Sequence, residues 1–155
     1  MESVEKLMIN LDFFNGKTVL VTGHTGFKGS WISRVLINSG AKVVGYSLQP
    51  TSKENLFSIC NNKDMKSFIG DIRDLEKLKK VFAETQPEMV IHLAAQPLVI
   101  ESYVNPVYTY ETNVMGTVNM CECVRMFTCV KSFLNVTTDK VYKNKEWEWG
   151  YREDE

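Results

Sequence analysis

The chain has 155 residues, of which 44% are hydrophobic and 24% are charged, and its formal net charge is -1. This composition predicts one globular domain, excludes low-complexity disorder, and provides no basic surface for a nucleic acid. No apolar run reaches the roughly 18–20 residues that cross a bilayer, and the first residues do not form a signal peptide, so we expect a cytoplasmic protein with no membrane contact.

Cysteine and histidine spacing gives no support for a metal site. The chain has four cysteines and two histidines, and they form neither a C-x-x-C pair nor a zinc-binding pattern. Cys121, Cys123 and Cys129 fall in or just after one predicted helix, far along the chain from Cys60. We therefore expect free thiols and no bound metal.

Strand-like and helix-like segments alternate from the start of the chain. The continuous apolar run at 17–22 predicts a strand that is buried on both faces. A helix is predicted from about 26 to 39, and Gly40 is in position to terminate it. Trp31, Ile32, Val35 and Leu36 are expected on the apolar face of that helix.

The same alternation continues to the end of the sequence. The segment 48–64 predicts a loop with one helical turn near 56–59, and Asp74 suits the N-cap of the helix that follows it. The remaining strands are predicted at 41–47, 65–70, 88–95 and 130–138, and the remaining helices at 75–85 and 105–127. This order predicts an α/β fold, a Rossmann-like doubly wound parallel sheet of about five strands in a three-layer αβα arrangement.

A glycine-rich turn follows the first predicted strand directly and opens the first helix. Its glycines are Gly23, Gly26 and Gly29. In a dinucleotide-binding turn the first glycine permits the sharp turn, the second lets the backbone approach a pyrophosphate, and the third lets the helix pack closely. The pattern lacks the G-K-[ST] ending of a P-loop. A tight turn without a ligand is the alternative, and the position between strand and helix favours the cofactor.

The ends of the second and third predicted strands leave the type of cofactor open. An acid commonly binds the adenosine ribose of NAD at the end of the second strand, but here the strand ends in Gly45, Tyr46 and Ser47. Ser47 can bind a ribose hydroxyl or a phosphate, and Lys28 suits a 2′-phosphate, so NAD and NADP both remain open. Asp71 is placed to meet the adenine edge or, equally, to cap its own loop.

Several motifs occur in the order and spacing of the extended short-chain dehydrogenases/reductases: VTGHTGFKG, GDIRD, HLAAQP, ETNVMGT and VTTDKVY. Within that family the chain most resembles the CDP-glucose 4,6-dehydratases, through GHTGFKGSW, HLAAQPLV, NVMGT and TTDKVY. The likeness covers nearly the whole chain from about residue 13 onward. It implies that 1–155 is a dinucleotide-binding domain, incomplete because the substrate domain is absent.

The resemblance implies a reaction and its partners. A hydro-lyase of this kind converts CDP-glucose to CDP-4-keto-6-deoxyglucose with bound NAD, NADP not being excluded. Hydride leaves C4, water is eliminated across C5 and C6, and hydride returns to C6. The products feed the dideoxysugars of bacterial lipopolysaccharide, and a homodimer or higher oligomer is implied. A sugar-nucleotide epimerase or reductase, or a non-catalytic NAD-binding fragment, is the alternative.

The resemblance also implies cofactor-binding residues at each motif. The phosphate turn comprises Gly23, His24, Thr25, Gly26, Phe27, Lys28 and Gly29. Asp71 and Ile72 match the adenine contact, and Asn113 matches a helix asparagine near the active site. Leu93, Ala94, Ala95 and Gln96 match the strand end beneath the nicotinamide. His24 is expected to pack the loop or flank a phosphate, whereas His92 is expected to be a hydrogen-bonded core histidine.

The triplet Thr138, Asp139 and Lys140 matches the catalytic positions after the fifth strand. Thr138 would bond the reacting 4-hydroxyl, and Asp139 would act as the acid toward the leaving 6-hydroxyl. In related dTDP-glucose enzymes a glutamate stands where Lys140 does and serves as the C5 base. Lys140 can take that role only if its pKa is lowered by burial or a neighbouring cation.

The tyrosine and lysine that perform the oxidation in this family have no match here. The family places them four residues apart on a helix beyond the fifth strand, where the lysine lowers the pKa of the tyrosine. None of the six tyrosines in this sequence has a lysine at that offset. The chain is therefore expected to be an N-terminal portion that is inactive as it stands.

Overall fold

The computed structural model describes residues 11–60, 64–138 and 140–153. The strands are β1 (Thr18–Thr22), β2 (Lys42–Ser47), β3 (Lys66–Ile69), β4 (Met89–His92) and β5 (Ser132–Asn135). The helices are α1 (Phe27–Asn38), α2 (Leu56–Cys60), α3 (Leu75–Thr85), α4 (Val99–Val104), α5 (Pro106–Tyr110) and α6 (Gly116–Met126). A 3-10 turn, Leu11–Phe14, precedes β1, and a π-helical segment, Glu111–Met115, joins α5 to α6.

The strands form one parallel sheet in the order β3-β2-β1-β4-β5. Thr22 pairs with Tyr46 on one side and with His92 on the other, and His92 pairs with Asn135, so the strands end at a common edge. The strand order reverses direction between β1 and β4. In open α/β sheets the crevice for a ligand lies at such a reversal, beyond the carboxyl ends of the strands.

Two apolar cores flank the sheet, as the alternation of side chains along a strand requires. Leu20 of β1 faces the core beneath α3 and α6, with Phe82 and Met120. Val19 and Val21 face the opposite core beneath α1, with Leu36. Because β1 is covered on both faces, its sequence is a continuous apolar run rather than an alternating one. This arrangement confirms the predicted three-layer αβα fold.

The termini of two helices confirm the predicted signals. Asp74 caps α3 by accepting a hydrogen bond from the backbone N–H of Lys77 at 3.0 Å. Gly40 follows α1 with φ of 77°, a left-handed conformation that favours glycine. The apolar face expected on α1 is only partly covered, because Trp31 and Val35 remain 51% and 46% exposed.

Several predicted bounds are wrong. The fourth strand ends at His92 rather than 95. The fifth strand spans Ser132–Asn135 rather than 130–138, because its ladder with β4 ends where His92 pairs with Asn135. The predicted helix 105–127 contains the π-helical segment, and α4 was not predicted. Among the described residues, no helix is long and apolar enough to cross a membrane.

Candidate functional site

The turn between β1 and α1 presents backbone rather than side chains at the carboxyl edge of the sheet. Gly23 has φ of 72°, and its N–H donates to the carbonyl of Tyr46 at 2.9 Å. Gly26 is the N-cap of α1, and no side chain caps that helix end. A Cβ on Gly29 would lie 2.1 Å from the carbonyl oxygen of Gly23. The helix start is thus packed on the turn with its first amides available to an anion.

The residues after β4 lie beside this turn. A Cβ on Gly23 would be 3.0 Å from the backbone nitrogen of Ala94, so only a glycine permits this approach. The turn and the segment 93–96 therefore flank the reversal of strand order between β1 and β4. The structure brings together two groups of residues that the sequence assigned to one site.

A buried hydrogen-bond network joins the ends of β1 and β4. The Thr22 hydroxyl accepts from the N–H groups of Leu93 and Ala94, each at 3.1 Å, so its own proton points to Nδ1 of His92 at 2.7 Å. The Thr117 hydroxyl donates to a backbone carbonyl one turn earlier and accepts from Nε2 of His92 at 3.2 Å. The network requires a neutral His92 that carries its proton on Nε2.

Burial supports the same protonation state. His92 is 3% exposed, and desolvation lowers its pKa from 6.5 to about 4. The prediction of a hydrogen-bonded core histidine is confirmed. His92 holds the loop after β4 in place and does not reach the surface of the site.

Asn113 holds the backbone of Gln96 at two points. Its Oδ1 accepts from the N–H of Gln96 at 2.7 Å, and its Nδ2 donates to the carbonyl of Gln96 at 3.0 Å. The Gln96 side chain in turn donates to the Thr109 hydroxyl at 2.9 Å and to the Leu98 carbonyl at 3.1 Å. Asn113 lies in the π-helical segment, and such segments often occur at functional sites.

Hydroxyl groups meet where the glycine turn crosses the end of β2. The Thr25 hydroxyl donates to the Leu48 carbonyl at 2.9 Å, so in its 2.8 Å contact with Ser47 it is the acceptor. The proton of Ser47 is therefore used, and only its lone pairs remain for a ligand. Lys28 and Phe27 are exposed at the start of α1.

The side chain of His24 turns away from this edge into the core. It is fully buried, its Nε2 lies 2.7 Å from the Ser67 hydroxyl, and its ring meets Phe57 edge-on at 5.2 Å. Desolvation lowers its pKa to about 4. Of the two roles expected for His24, the structure favours packing of the loop, and a ligand would meet only its backbone.

The loop after β3 carries Asp71 at the same edge. Its carboxylate accepts from the guanidinium of Arg73, with Nη2 at 2.8 Å from Oδ2. This arginine holds the pKa of Asp71 below its usual range. Ile72 is 4% exposed and packs against Gly116, where a Cβ would lie 2.5 Å from its Cδ1.

Thr138 and Lys140, two residues of the predicted catalytic triplet, follow the short β5 in exposed positions. Thr137 has φ of 44°, which is strained for a β-branched residue and turns the chain before Thr138. The Thr138 hydroxyl accepts from the N–H of Lys140 at 3.1 Å and keeps a proton to donate. Asp139 lies outside the described residues.

Arg73 and Thr22 belong to the site but were not predicted from the sequence. Arg73 was part of the quoted GDIRD motif, but its ion pair depends on the shape of the loop. Thr22 ends an apolar strand, and its contacts with the residues after β4 were not predicted. A polar residue at the last position of an otherwise apolar strand is the signal that would have indicated it.

Comparison with known proteins agrees with this geometry. The family model described as GDP-mannose 4,6 dehydratase matches residues 20–154. The CDP-glucose 4,6-dehydratase of Salmonella typhimurium is 54% identical over 149 residues, which are 96% of this chain and 42% of that protein. The chain thus spans about two fifths of the length of that relative.

Solved structures of epimerases share the fold. An epimerase of Methanothermobacter thermautotrophicus superposes with a TM-score of 0.71 at 32% identity, over 81% of this chain and 36% of the other. The UDP-glucose 4-epimerase of Thermus thermophilus, solved as a complex with NAD, superposes with a TM-score of 0.63 at 36% identity. The match covers 71% of this chain and 34% of the epimerase.

Proposed function

Because the chain belongs to the GDP-mannose 4,6-dehydratase family of nucleotide-sugar enzymes, we propose that it forms the NAD-binding part of a CDP-glucose 4,6-dehydratase. The likeness to the Salmonella typhimurium enzyme, 54% identical over 149 residues, carries the choice of CDP-glucose. The proposed product is CDP-4-keto-6-deoxyglucose. Assembly of the full-length enzyme as a homodimer or higher oligomer and a cytoplasmic location are part of the same proposal.

The residues at the carboxyl edge fit a dinucleotide. A pyrophosphate would lie against the uncapped start of α1, where Gly26 has no side chain and a Cβ on Gly29 would strike the turn. The adenine end would lie toward Asp71, and the nicotinamide end toward Ala94–Gln96. Bound NAD supplies a hydride acceptor and donor, and the chain supplies the surface that orients it.

The pattern of donors at the end of β2 favours NAD over NADP. The Ser47 hydroxyl donates its proton to a hydrogen bond with Thr25, so toward a ligand it acts as an acceptor and can bind a ribose hydroxyl. A 2′-phosphate has only acceptor oxygens at this position and would meet a lone pair. Ser47 thus takes the part of the acid that commonly ends the second strand.

The loop after β5 would serve the sugar. Thr138 keeps a proton that it can donate to the oxygen on C4. We assign Asp139 as the acid that protonates the leaving hydroxyl on C6, which becomes water. Lys140 stands where related enzymes carry a base, and the proton on C5 would pass to it only in its neutral form.

Cofactor binding by the 155-residue chain tests the first part of the proposal. Titration with NAD, followed by calorimetry, should show one site, and NADP should bind at least tenfold more weakly. The chain should not turn over CDP-glucose, because none of its tyrosines has a lysine four residues later. Absence of NAD binding would refute the proposal.

The alternative reaction, epimerisation or reduction, requires no acid after Thr138. A chimera in which this chain replaces the matching segment of the Salmonella typhimurium enzyme separates the two. It should convert CDP-glucose to the 4-keto-6-deoxy product, and Asp139→Asn should block elimination while nicotinamide reduction continues. Elimination at the unmodified rate in that variant would show that Asp139 is not the acid.

A further inference from the structure

The carboxylate of Asp71 is held on one side by a single residue. Three N–H groups of Arg73 donate hydrogen bonds to this carboxylate. The backbone N–H donates to Oδ1 at 2.9 Å, and Nη2 donates to Oδ2 at 2.8 Å. Nε lies between the two oxygens, at 3.1 Å from Oδ1 and 3.0 Å from Oδ2. An ionised carboxylate accepts about four hydrogen bonds. Arg73 therefore leaves Asp71 about one acceptor position.

The remaining position can be reached from outside. The side chain of Asp71 retains 27% of its surface exposed. It is also ionised, because the hydrogen bonds from Arg73 lower its pKa, so it has no proton to donate. A group that docks on Asp71 must bring its own N–H or O–H.

The loop that carries Asp71 and Arg73 is fixed relative to the sheet. The Tyr46 hydroxyl donates to the carbonyl of Asp71 at 2.8 Å, and Asn119 donates to the carbonyls of Ile72 at 3.0 Å and Arg73 at 3.2 Å. Three side-chain hydrogen bonds thus anchor three consecutive carbonyls of this loop. The orientation of the carboxylate then depends on the guanidinium.

The guanidinium is itself held from the helical side. Its Nη1 donates to Oε2 of Glu111 at 2.9 Å, and its carbon lies 4.9 Å from the ring centre of Tyr108. Glu111 begins the π-helical segment that also carries Asn113. Arg73 is thus bound on two sides and cannot follow a ligand without losing contacts.

We propose that Arg73 is a positioning residue that leaves Asp71 one acceptor site, aimed at the exocyclic amino group of adenine. This inference rests on the proposed NAD site. An amino group at position 6 of the purine donates one N–H to that site. A keto group at position 6 offers only an acceptor, so the oxygen at that position of a hypoxanthine base faces the carboxylate oxygen with no proton between them.

The test compares NAD with nicotinamide hypoxanthine dinucleotide, in which a keto group replaces the 6-amino group and N1 carries a proton. The unmodified chain should bind NAD about tenfold more tightly, the effect of one hydrogen bond to a charged group. In Arg73→Met the ratio should fall below about threefold, mainly through weaker NAD binding. Arg73→Lys keeps the charge without the planar fork and should give an intermediate ratio.

A matched control is available on α6. Arg125 makes an equivalent two-point pair with Glu122, with Nε and Nη2 each at 2.7 Å from its oxygens, away from the glycine turn. Arg125→Met should leave the ratio unchanged, and thermal unfolding should show both methionine variants folded.

Three outcomes would overturn the inference. If Arg73→Met and Arg73→Lys weaken both dinucleotides by one factor and keep the ratio, Arg73 has only a structural role. If the unmodified chain binds both equally, Asp71 does not distinguish amino from keto groups, while NAD binding stands. If the unmodified chain binds neither, the proposed function itself fails and this inference with it.

Discussion

Gly29 offers a sharp test of how the glycine turn is built. Gly29 lies in the first turn of α1, where alanine has the higher helix propensity by about 1 kcal/mol. Propensity alone therefore predicts that Gly29→Ala stabilises the protein. The structure predicts the opposite, because the new Cβ would lie 2.1 Å from the carbonyl oxygen of Gly23 and 2.7 Å from Cα of His24.

The size of the effect follows from what the methyl group meets. All three of its nearest neighbours are backbone atoms, so no side chain can rotate away and α1 must move off the turn. Overpacking of this kind costs about 3 kcal/mol at the upper end of its usual range. With the gain in propensity deducted, we expect a net loss of about 2 kcal/mol and a fall in Tm of about 6 °C.

Gly26 provides the matched control in the same turn. A Cβ there would lie 3.3 Å from the carbonyl oxygen of Gly23, and the φ of -77° is accessible to alanine. Gly26→Ala should therefore cost less than about 1 kcal/mol of stability. It should nevertheless weaken NAD binding at least tenfold, because the methyl group occupies the approach to the helix amides.

The assay is thermal unfolding of both variants beside calorimetric titration with NAD. We expect Gly29→Ala to lower Tm, and Gly26→Ala to lower NAD affinity at nearly unchanged Tm. A Tm for Gly29→Ala equal to or above that of the unmodified chain would refute the packing argument. Unchanged NAD affinity in Gly26→Ala would refute the location of the pyrophosphate.

Three further predictions concern the network around the site. Burial lowers the pKa of His92 from 6.5, its ordinary value in an unfolded chain, to about 4 in the folded state. The contribution of His92 to stability is therefore complete above about pH 6.5 and falls by about 3 kcal/mol as the pH drops to 4. Urea unfolding at several pH values should show this loss, and the free energy of unfolding of His92→Gln should depend less on pH. Asn113→Leu removes both hydrogen bonds to Gln96 and should cost about 1–3 kcal/mol in urea unfolding, whereas an unchanged midpoint would show that the pair is not needed. Thr25→Val frees the proton of Ser47 and should reduce the preference for NAD over NADP severalfold in calorimetry; an unchanged preference would contradict the assigned direction of that hydrogen bond.

Local signals predicted most of the elements and the glycine turn correctly. The apolar run of β1 and the spacing of Gly23, Gly26 and Gly29 are patterns within a few residues of one another, so they can be read along the chain. The close approach of Gly23 to Ala94 cannot be read in this way. The capping of α3 by Asp74 is local in the same way.

Features that depend on distant partners were predicted poorly. The periodicity of α1 indicates an apolar face, but it does not show that Trp31 and Val35 lack a covering element. The length of β5 depends on where its ladder with β4 ends, which placed Thr138 in a loop beyond the strand. The strained backbone of Thr137 has no signature in the residue itself.

The order of strands and helices, and the glycines that let α1 pack closely on the turn after β1, are properties of short stretches of sequence. The direction in which each hydroxyl of the site donates its hydrogen bond is not a property of a short stretch of sequence. Ser47 becomes an acceptor because Thr25 donates to Leu48, and Asp71 keeps about one acceptor position because Arg73 takes the others. These assignments arise where separate segments meet, since each hydroxyl has one proton and each carboxylate a limited number of lone pairs, and folding determines which neighbours use them.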